Sequence, residues 1–342
     1  MSTSPKNPSF AYLLLTHKDP QQVEDLTRRL LDLSPGSQVV VHHDADSGDP
    51  PWRGHPSAPI HLVERCRVSW GDWSMIEATL RLIRYAVDRL DADWFVLLSG
   101  EHRPAVVLPQ WEASTAASGN DALLAAERLP SRLRFGSTDF DRNQYLARSR
   151  LHWSLFDRPR NDIAHRSMGL LMKLSSRVRP VLSVEYIHRR EAWAIGRARR
   201  DRPVPGWTFY RGSQWFALNR RAAAAALTID PAVAEWFEHG WIPDETYLQT
   251  ALRHVPGLVV ADVPTTFVLD TPEKPYPGWM QLSPEDLPAV RASGLPFARK
   301  VDLAGRPEVV AGMDDAVDQQ RPERRSGSTT ATSRAPNQVP GA

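Results

Sequence analysis

The stretch SMIEATLRLIRYAVDRLDADWFVLLSG, Ser74–Gly100, decides the fold class of this 342-residue chain. Its first part places apolar residues on one face of a helix, at Ile76, Leu80, Ile83, Val87 and Leu90. Ser74 and Glu77 have the spacing of a capping box, which predicts that the helix begins there. The continuous apolar run Trp94–Leu98 then predicts a buried strand. A helix followed by a buried strand is the unit of an α/β sheet.

The same alternation extends toward the amino terminus. Strands are predicted at Phe10–Thr16, Gln38–His43 and Ile60–Val63, with a helix over Pro20–Leu33. This order predicts an α/β fold with a mostly parallel central sheet flanked by helices. Ligands bind beyond the carboxyl ends of such strands, where this chain has polar residues, namely His17, Asp44, Glu101 and His102.

The rest of the chain is harder to interpret, and its middle, Pro130–Pro205, is rich in arginine. Within and after this middle, the residue pattern predicts a strand at Gly206–Leu218 and five helices. The helices are expected at Ser167–Arg177, Val184–Arg200, Arg221–Leu227, Ala232–His239 and Pro243–Arg253. A final α/β portion is expected over Leu258–Val317, with a helix start at Ser283–Asp286. We expect residues 10–316 to form one domain, with residues 1–9 and 317–342 disordered because they offer little to bury.

Composition excludes several classes of protein. A formal net charge of +2 gives no global charge field that points to nucleic acid or to an anionic membrane. The single cysteine, Cys66, excludes an intrachain disulfide framework and a thiolate zinc site, and it favours a cytoplasmic protein. No apolar run approaches the length of a transmembrane segment, and none is expected. Only five of the 42 basic residues are lysine, which favours a bacterial source. GxSxG, P-loop, GxGxxG and HExxH motifs are not present in the sequence.

Two acidic motifs have both a chemical and a structural interpretation. Asp44 and Asp46 form an Asp-x-Asp pair after a strand, which can hold a divalent cation against a diphosphate or simply begin a surface turn. Asp244 and Glu245 follow Pro243 at a predicted helix start, where acids favour the helix dipole. In that position one of the carboxylates could also serve as a general base.

The basic and aromatic residues also have both a chemical and a structural interpretation. Arg299 and Lys300 are either solvated surface cations or a clamp for a departing diphosphate. Tryptophans at 70, 73, 207, 215 and 241 either pack in the core or offer faces on which sugar and uracil rings stack. The residues alone therefore predict an α/β protein that is compatible with sugar-nucleotide binding.

Seven sequence blocks in a fixed order carry a more specific signal. They are LLLTHKDP (13–20), VVVHHD (39–44), RVSWGDWSMIEATL (67–80), VLLSGEHRP (96–104), YRGSQWFAL (210–218), PDETYLQTAL (243–252) and LPFARKVD (295–302). In this order they resemble the core-2/I-branching β-1,6-N-acetylglucosaminyltransferase family, which includes the peptide O-xylosyltransferases. The resemblance runs from about residue 10 to residue 315.

The resemblance implies a GT-A-type nucleotide-sugar fold and an inverting transfer from a UDP-sugar to a hydroxyl group, without a metal cofactor. It implies that Glu245 is the catalytic base and that Lys300, with Arg299 beside it, contacts the diphosphate. His17, Asp44 and Trp70 match positions near the uridine. The vicinity of the donor sugar and acceptor is expected at Glu101, His102, Ser213, Trp215 and Asp244.

This chain also departs from the family pattern. His102 stands where the family often has an aspartate, and no arginine near Pro277 matches one that joins the family lysine at the diphosphate. Arg299 or Lys274 is a candidate substitute. The cysteines and the amino-terminal anchor of animal members are absent from this sequence.

Three functions are consistent with these observations. The first is a metal-independent inverting transferase that moves a sugar of the GlcNAc or xylose class to a glycan, peptide or small-molecule acceptor. The second is a transferase that depends on a metal held by Asp44 and Asp46. The third is a sugar-nucleotide or glycan-binding protein without turnover.

Overall fold

The computed structural model describes residues 8–50, 60–130, 140–157, 162–175, 181–187, 192–199, 206–269 and 280–321. The side chains of residues 140–144, 157, 162–165 and 187 are not described. Lys274, Pro277 and most of the two predicted disordered ends lie outside this part of the chain.

The strands of the described residues are short and are spread along the whole chain. They are β1 (Phe10–Thr16), β2 (Gln38–His43), β3 (Ile60–Leu62), β4 (Trp94–Ser99), β5 (His102–Pro104), β6 (Ala122–Leu123), β7 (Ala126–Arg128), β8 (Leu151–Asp157), β9 (Leu182–Ile187), β10 (Ala192–Ala198), β11 (Tyr210–Gly212), β12 (Ala217–Asn219), β13 (Val260–Ala261), β14 (Thr266–Val268) and β15 (Phe297–Arg299).

The helices alternate with these strands. They are α1 (Pro20–Leu33), α2 (Ser74–Arg89), α3 (Leu108–Ala117), α4 (Phe140–Arg150), α5 (Asp162–Ser175), α6 (Arg220–Leu227), α7 (Pro231–Glu238), α8 (Tyr247–Ala251), α9 (Leu287–Ser293) and α10 (Pro307–Asp318). Short 3-10 turns lie at Pro243–Glu245, Leu252–His254 and Pro284–Asp286.

A seven-stranded sheet of order β13-β6-β12-β4-β1-β2-β3 forms the centre of the molecule. The strands β3, β2, β1 and β4 are parallel to one another, and β12 is antiparallel to both β4 and β6. Since β13 is parallel to β6, six of the seven strands share one direction. The predicted fold class, a mostly parallel sheet flanked by helices, is confirmed.

The apolar runs of β1 and β4 form this sheet because helices cover both of its faces. Ala11 and Leu13 pack with the apolar face of α2, whereas Tyr12 and Leu14 pack with α1 on the other side. The predicted capping box is wrong, because the N-cap residue is Trp73, and the Asp72 carboxylate accepts from the backbone N–H of Ser74 at 2.8 Å. The Oγ of Ser74 instead accepts from the backbone N–H of Ser69.

The arginine-rich middle differs from its prediction. The helix expected at Val184–Arg200 is wrong, because β9 and β10 occupy most of that segment. The central strand β10 pairs with β8 on one side and β9 on the other in a three-stranded antiparallel sheet. A helix does lie near the predicted Ser167–Arg177, as α5. The single strand expected at Gly206–Leu218 is divided into β11 and the start of β12.

The last part of the chain forms a second, smaller sheet beside the central one. The strands β14, β15 and β5 form a small sheet, and α10 packs beside it. Asp314 of α10 accepts from the buried guanidinium of Arg103, which also pairs with Asp25 of α1. The helix ends at Asp318, and its Val317 is buried.

Within the described residues, no helix combines the length and the apolar character needed to cross a bilayer.

Candidate functional site

Three cations surround one carboxylate beyond the carboxyl ends of β1 and β4. Glu101 is buried, and its Oε1 lies 2.9 Å from the Nζ of Lys18. Its Oε2 lies 3.6 Å from both the Nη2 of Arg299 and the Nζ of Lys300. We call Lys18, Glu101, Arg299 and Lys300 the cation cluster. Its formal charge is +2, so it can accept an anion.

Backbone and amide contacts hold the cluster together. Gln22 donates from its Nε2 to the carbonyls of Gly100, at 2.7 Å, and Val301, at 3.1 Å. Its Oε1 accepts from the backbone N–H of Leu303. The N–H of Val301 in turn donates to the Glu101 carbonyl. The buried amide of Gln22 therefore fixes the segment that follows β15 against the segment that follows β4.

Lys18 and Glu101 of the cluster line a shallow open hollow together with His17, Asp19 and Gln22. Burial opposes the charge of Glu101, but Lys300, Lys18 and Arg299 outweigh it and keep its pKa below the ordinary value. Partial desolvation lowers the pKa of His17, which also feels the charges of Glu101, Lys18, Lys300 and Asp44. His17 is therefore a neutral ring beside cations at neutral pH.

Asp44 and Asp46 face different partners. The Oδ1 of Asp44 accepts from the backbone N–H groups of Val68 and Asp46, and its Oδ2 accepts from the hydroxyl of Ser47. Asp46 pairs with Arg67 at the exposed surface. No group of three or more His, Cys, Asp or Glu side chains that could hold a metal is found among the residues described. The metal alternative therefore rests on these two aspartates.

Trp215 joins the cation cluster to the loop before β12. The guanidinium carbon of Arg299 lies 4.5 Å from the centre of the Trp215 ring, and His102 meets the same ring edge-on. His102 is fully buried, accepts at Nδ1 from the backbone N–H of Ser99, and lies 3.3 Å from the hydroxyl of Thr266. Burial holds the pKa of His102 well below its usual range. His102 thus packs behind Arg299.

Glu245 ends the 3-10 turn Pro243–Glu245, which we call the carboxylate turn. The prediction of one helix over Pro243–Arg253 is wrong, because the chain leaves helical geometry at Thr246, with φ −138°. Ile242, just before the turn, has φ +54°, a conformation that costs a β-branched residue strain energy. Glu245 is half-buried.

Asp244 of the same turn is buried, and its Oδ1 has no hydrogen-bond partner. Burial, and then the charge of Glu245, raise the pKa of Asp244 to about 8. The neutral form of Asp244 is therefore favoured at pH 7. Two adjacent carboxyl groups with separated protonation are a feature of acid–base sites.

Tyr145 lies beside Glu245 and interacts with its carboxylate. Burial and the Glu245 charge raise the pKa of Tyr145 above its ordinary value, so its hydroxyl stays a donor. The guanidinium carbons of Arg148 and Arg211 lie 4.7 Å and 4.4 Å from the centre of the Tyr145 ring. These cations keep the ring in place beside Glu245.

The block SWGDW, 69–73, packs against the carboxylate turn and the residues beside it. The carbonyl of Gly71 accepts from the N–H of Ile242 at 3.0 Å, and Trp73 packs edge-on against Tyr247. Trp70 packs with Trp241 and Ile242. Trp70 therefore lies on the side of the carboxylate turn, although the resemblance predicts a place near the uridine.

The loop of Ser213 connects the two parts of the site. Gln249 donates from its Nε2 to the carbonyls of Ser213, at 2.8 Å, and Asp244, at 2.9 Å. Trp215, two residues on, packs against Arg299. The structure therefore links the cation cluster to the carboxylate turn through one short loop.

Sequence reasoning missed Lys18, Gln22 and Tyr145. Lys18 and Gln22 are 83 and 279 residues from the partners that give them a role, Glu101 and Val301. Tyr145 lies in the segment that the sequence left uninterpreted. The only available signal was the presence of Lys18 in the block LLLTHKDP.

The family comparison concerns the first third of the chain. Residues 10–110 match the model of the family described as Branch: Core-2/I-Branching enzyme. It is a family of glycosyltransferases, so the resemblance and the enzyme class predicted from the sequence are confirmed. Glu245, Arg299 and Lys300 lie beyond the matched residues.

Comparisons with whole proteins add little. No curated protein matches the chain significantly. HddC from Yersinia pseudotuberculosis is 11% identical with a TM-score of 0.24, and the alignment covers 38% of this chain and 63% of HddC. A putative glucose-1-phosphate thymidylyltransferase from Bacillus anthracis is 7% identical with a TM-score of 0.29, and the alignment covers 66% of this chain and 77% of that protein. The 4-diphosphocytidyl-2C-methyl-D-erythritol synthase from Anaerococcus prevotii is 10% identical with a TM-score of 0.28, and the alignment covers 83% of this chain and 98% of the synthase. These similarities are too low to carry an argument about function.

Proposed function

We propose that this protein is an inverting glycosyltransferase that moves a sugar of the GlcNAc or xylose class from UDP to an acceptor hydroxyl without a metal. The observation that carries the proposal is the cation cluster at the carboxyl ends of β1 and β4, joined through the Ser213 loop to the carboxylate turn. One part has the charge to hold a diphosphate, and the other has a carboxylate to take a proton. We further propose that residues 10–316 act as one GT-A-like domain, and the single cysteine supports a cytoplasmic location.

The donor binds with its diphosphate on the cation cluster. The ammonium groups of Lys18 and Lys300 and the guanidinium of Arg299 already share one carboxylate, so an entering diphosphate meets fixed cations rather than mobile ones. Lys18 supplies a cation beyond the two that the sequence assigned. It replaces the family arginine that has no counterpart near Pro277. His17 and Asp44 lie on the same side and remain the candidates for uridine contacts.

The carboxylate turn performs the proton transfer. Glu245 takes the proton of the acceptor hydroxyl as that oxygen attacks the anomeric carbon from the face opposite UDP. The bond between the anomeric carbon and the phosphate oxygen breaks, and its electron pair leaves with UDP. Lys18, Arg299 and Lys300 offset the charge that grows on the leaving group, as a divalent cation does in metal-dependent transferases.

Tyr145 and Asp244 prepare Glu245 for this step. The Tyr145 hydroxyl orients the carboxylate, and a neutral Asp244 adds no second negative charge beside the base. The acceptor approaches from the side of Ser213 and Trp215. The acceptor class, whether glycan, peptide or small molecule, follows from product analysis once the donor is identified.

A ligand-binding panel tests the proposal. Calorimetry and thermal shift would compare UDP, UDP-GlcNAc, UDP-xylose, UDP-glucose and GDP-mannose, each in EDTA and in manganese. We expect stabilisation by the UDP compounds that persists in EDTA. Binding that requires manganese would move the diphosphate site to Asp44 and Asp46. If all five compounds fail to bind, the proposal is wrong.

A further inference from the structure

The exposed apolar side chains of this protein are concentrated in one region. The described residues expose ten large apolar side chains, and seven of them lie between Leu155 and Val181. Four of the seven belong to one helix, α5, as Leu170, Leu171, Met172 and Leu174. An exposed apolar surface of this kind marks an interaction site.

The helix α5 is fixed at one end and open along its length. Ser175 is buried, and its Oγ accepts from the backbone N–H of Val184 in β9. Leu170 and Leu174, one turn apart, are 60% and 50% exposed. Arg166 and Lys173 are exposed on the same helix. Arg166, Leu170, Lys173 and Leu174 are spaced three and four residues apart and therefore share one side of the helix, which we call the α5 face.

The α5 face lies in the most basic part of the chain. Between Arg150 and Arg202 there are thirteen Arg and Lys residues against five Asp and Glu. This segment therefore has an excess of eight positive charges, while the whole chain has an excess of two. Charge of this sign and density attracts an anionic surface.

We infer that the α5 face docks on an anionic lipid bilayer, with Leu170 and Leu174 in the boundary between headgroups and acyl chains. Apolar residues flanked by Arg and Lys on a helix that does not span the membrane are the pattern of an interfacial helix. A second copy of this chain fits less well because each copy would bring the same positive excess. Nucleic acid would satisfy the charge and leave the leucines exposed to water.

This surface and the carboxylate turn are attached to the same three-stranded sheet. Trp153 of β8 packs against Trp241 at 5.1 Å between ring centres, and Arg148 reaches Glu185 of β9. A bilayer that holds α5 would therefore hold the acceptor side of the site close to the membrane surface. The inference is independent of the proposed donor and reaction.

Vesicle co-sedimentation tests the inference with the full chain. The probes are vesicles of phosphatidylcholine alone and of phosphatidylcholine with phosphatidylglycerol. We expect binding to the anionic vesicles at least tenfold tighter than to neutral ones, and a loss of most of it at about 0.5 M salt, where charges are screened within a few ångströms.

Variants separate the apolar and the charged contributions. Leu170→Gln with Leu174→Gln should weaken binding to anionic vesicles about tenfold or more, since two side chains no longer enter the bilayer. Arg166→Gln with Lys173→Gln should weaken it about 25-fold at low salt, because each of the two cations near the surface contributes about fivefold. The matched control is Val259→Gln with Val263→Gln, which changes two exposed valines elsewhere and should leave binding unchanged.

Each variant is first compared with the wild type by circular dichroism and thermal unfolding, and we expect no difference because the changed side chains are exposed. Equal binding to neutral and anionic vesicles would overturn the inference. Unchanged binding by the double leucine variant would also do so. A dimer that this variant abolishes, in a protein that ignores vesicles, would assign the face to self-association instead. RNA binding without vesicle binding would assign it to nucleic acid.

Discussion

The cation cluster and the carboxylate turn are built in opposite ways. In the cation cluster one carboxylate, Glu101, serves three cations, and the surrounding loops are tied by the fully used amide of Gln22. In the carboxylate turn a buried oxygen of Asp244 has no partner, and Ile242 has a strained backbone. The first part is prepared to bind, whereas the second keeps polar groups in a state that costs folding energy.

Because of this difference, substitutions in the two parts should affect different measured properties of the protein. Changes in the cation cluster should alter ligand affinity, because binding uses fixed charges. Changes in the carboxylate turn should alter turnover or stability and leave UDP affinity alone. Four experiments test this division, and they are ordered by the size of the expected effect.

Glu245→Gln should cause the largest change. The amide cannot accept the acceptor proton, so we expect the turnover number to fall by about 10³-fold, within the range for loss of a general base. UDP affinity, measured by calorimetry, should stay within about twofold because the cation cluster is unchanged. The matched control is the exposed Glu285→Gln, which should change neither quantity. Retained turnover in Glu245→Gln would exclude Glu245 as the base.

Lys18→Met should affect the other side of the comparison. It removes one of three cations while keeping an aliphatic stem, so we expect UDP to bind about 10- to 100-fold more weakly, the range for one charge-assisted contact. The salt dependence of UDP binding should also decrease. Lys173→Met on α5 is the control for loss of a lysine. If Lys18→Met binds UDP as the wild type does, Lys18 belongs only to the ion pair with Glu101.

Sequence patterns predicted the side of the site that rests on the parallel sheet. The strands β1, β2 and β4 are continuous apolar runs buried on both faces, and the chain order of such runs with helices between them determines the sheet. The polar residues that follow them, His17, Asp44 and Glu101, lie where the rule for parallel sheets puts them. Their partners could not be predicted, because ion pairs such as Lys18–Glu101 join distant parts of the chain.

The same reasoning failed for the sheet that supports the carboxylate turn. The segment of β10, AWAIGRA, is composed largely of helix formers, so its local preference favours a helix. Tertiary packing decides otherwise. Gly196 lies opposite Trp153 of β8, and a Cβ at Gly196 would lie 2.8 Å from the tryptophan ring. Likewise, the side-chain amide of Gln249 donates to the backbone carbonyl of Asp244. In a continuous helix that carbonyl would instead accept from the backbone N–H four residues later.

Gly71→Ala should disturb the contact between the SWGDW block and the segment that leads into the carboxylate turn. Gly71 has φ +75°, and a Cβ there would lie 2.9 Å from the Nε1 of Trp241. We expect the free energy of unfolding to fall by about 2–3 kcal/mol, and turnover to fall more than UDP affinity, because the Trp241–Ile242 segment must shift.

The control for this variant is Gly36→Ala, where φ is +93° and nothing lies within 4 Å of the new Cβ. It should lower the free energy of unfolding by only about 1 kcal/mol, the cost of a positive φ for alanine, without an effect on turnover. Equal losses of stability in the two variants, measured by urea unfolding, would contradict a steric role for the contact with Trp241.

Asp244→Asn should change the pH dependence of stability and leave UDP affinity unchanged. Burial raises the pKa of Asp244 to about 8, whereas the carboxyl of the unfolded chain ionises near pH 4. Between these two values the folded protein keeps a proton that the unfolded chain has released, so this group's contribution to stability falls as pH rises and is constant above about pH 8.

The asparagine cannot ionise, so the difference in unfolding free energy between variant and wild type should shift in favour of the variant across this window. The shift cannot exceed about 1.4 kcal/mol per pH unit, the limit for one proton. Urea unfolding at pH 5, 6, 7 and 8 measures this difference. If the two curves are parallel, Asp244 is ionised in the folded protein, and a charged pair with Glu245 would then replace the neutral acid that the buried, unpartnered oxygen indicates.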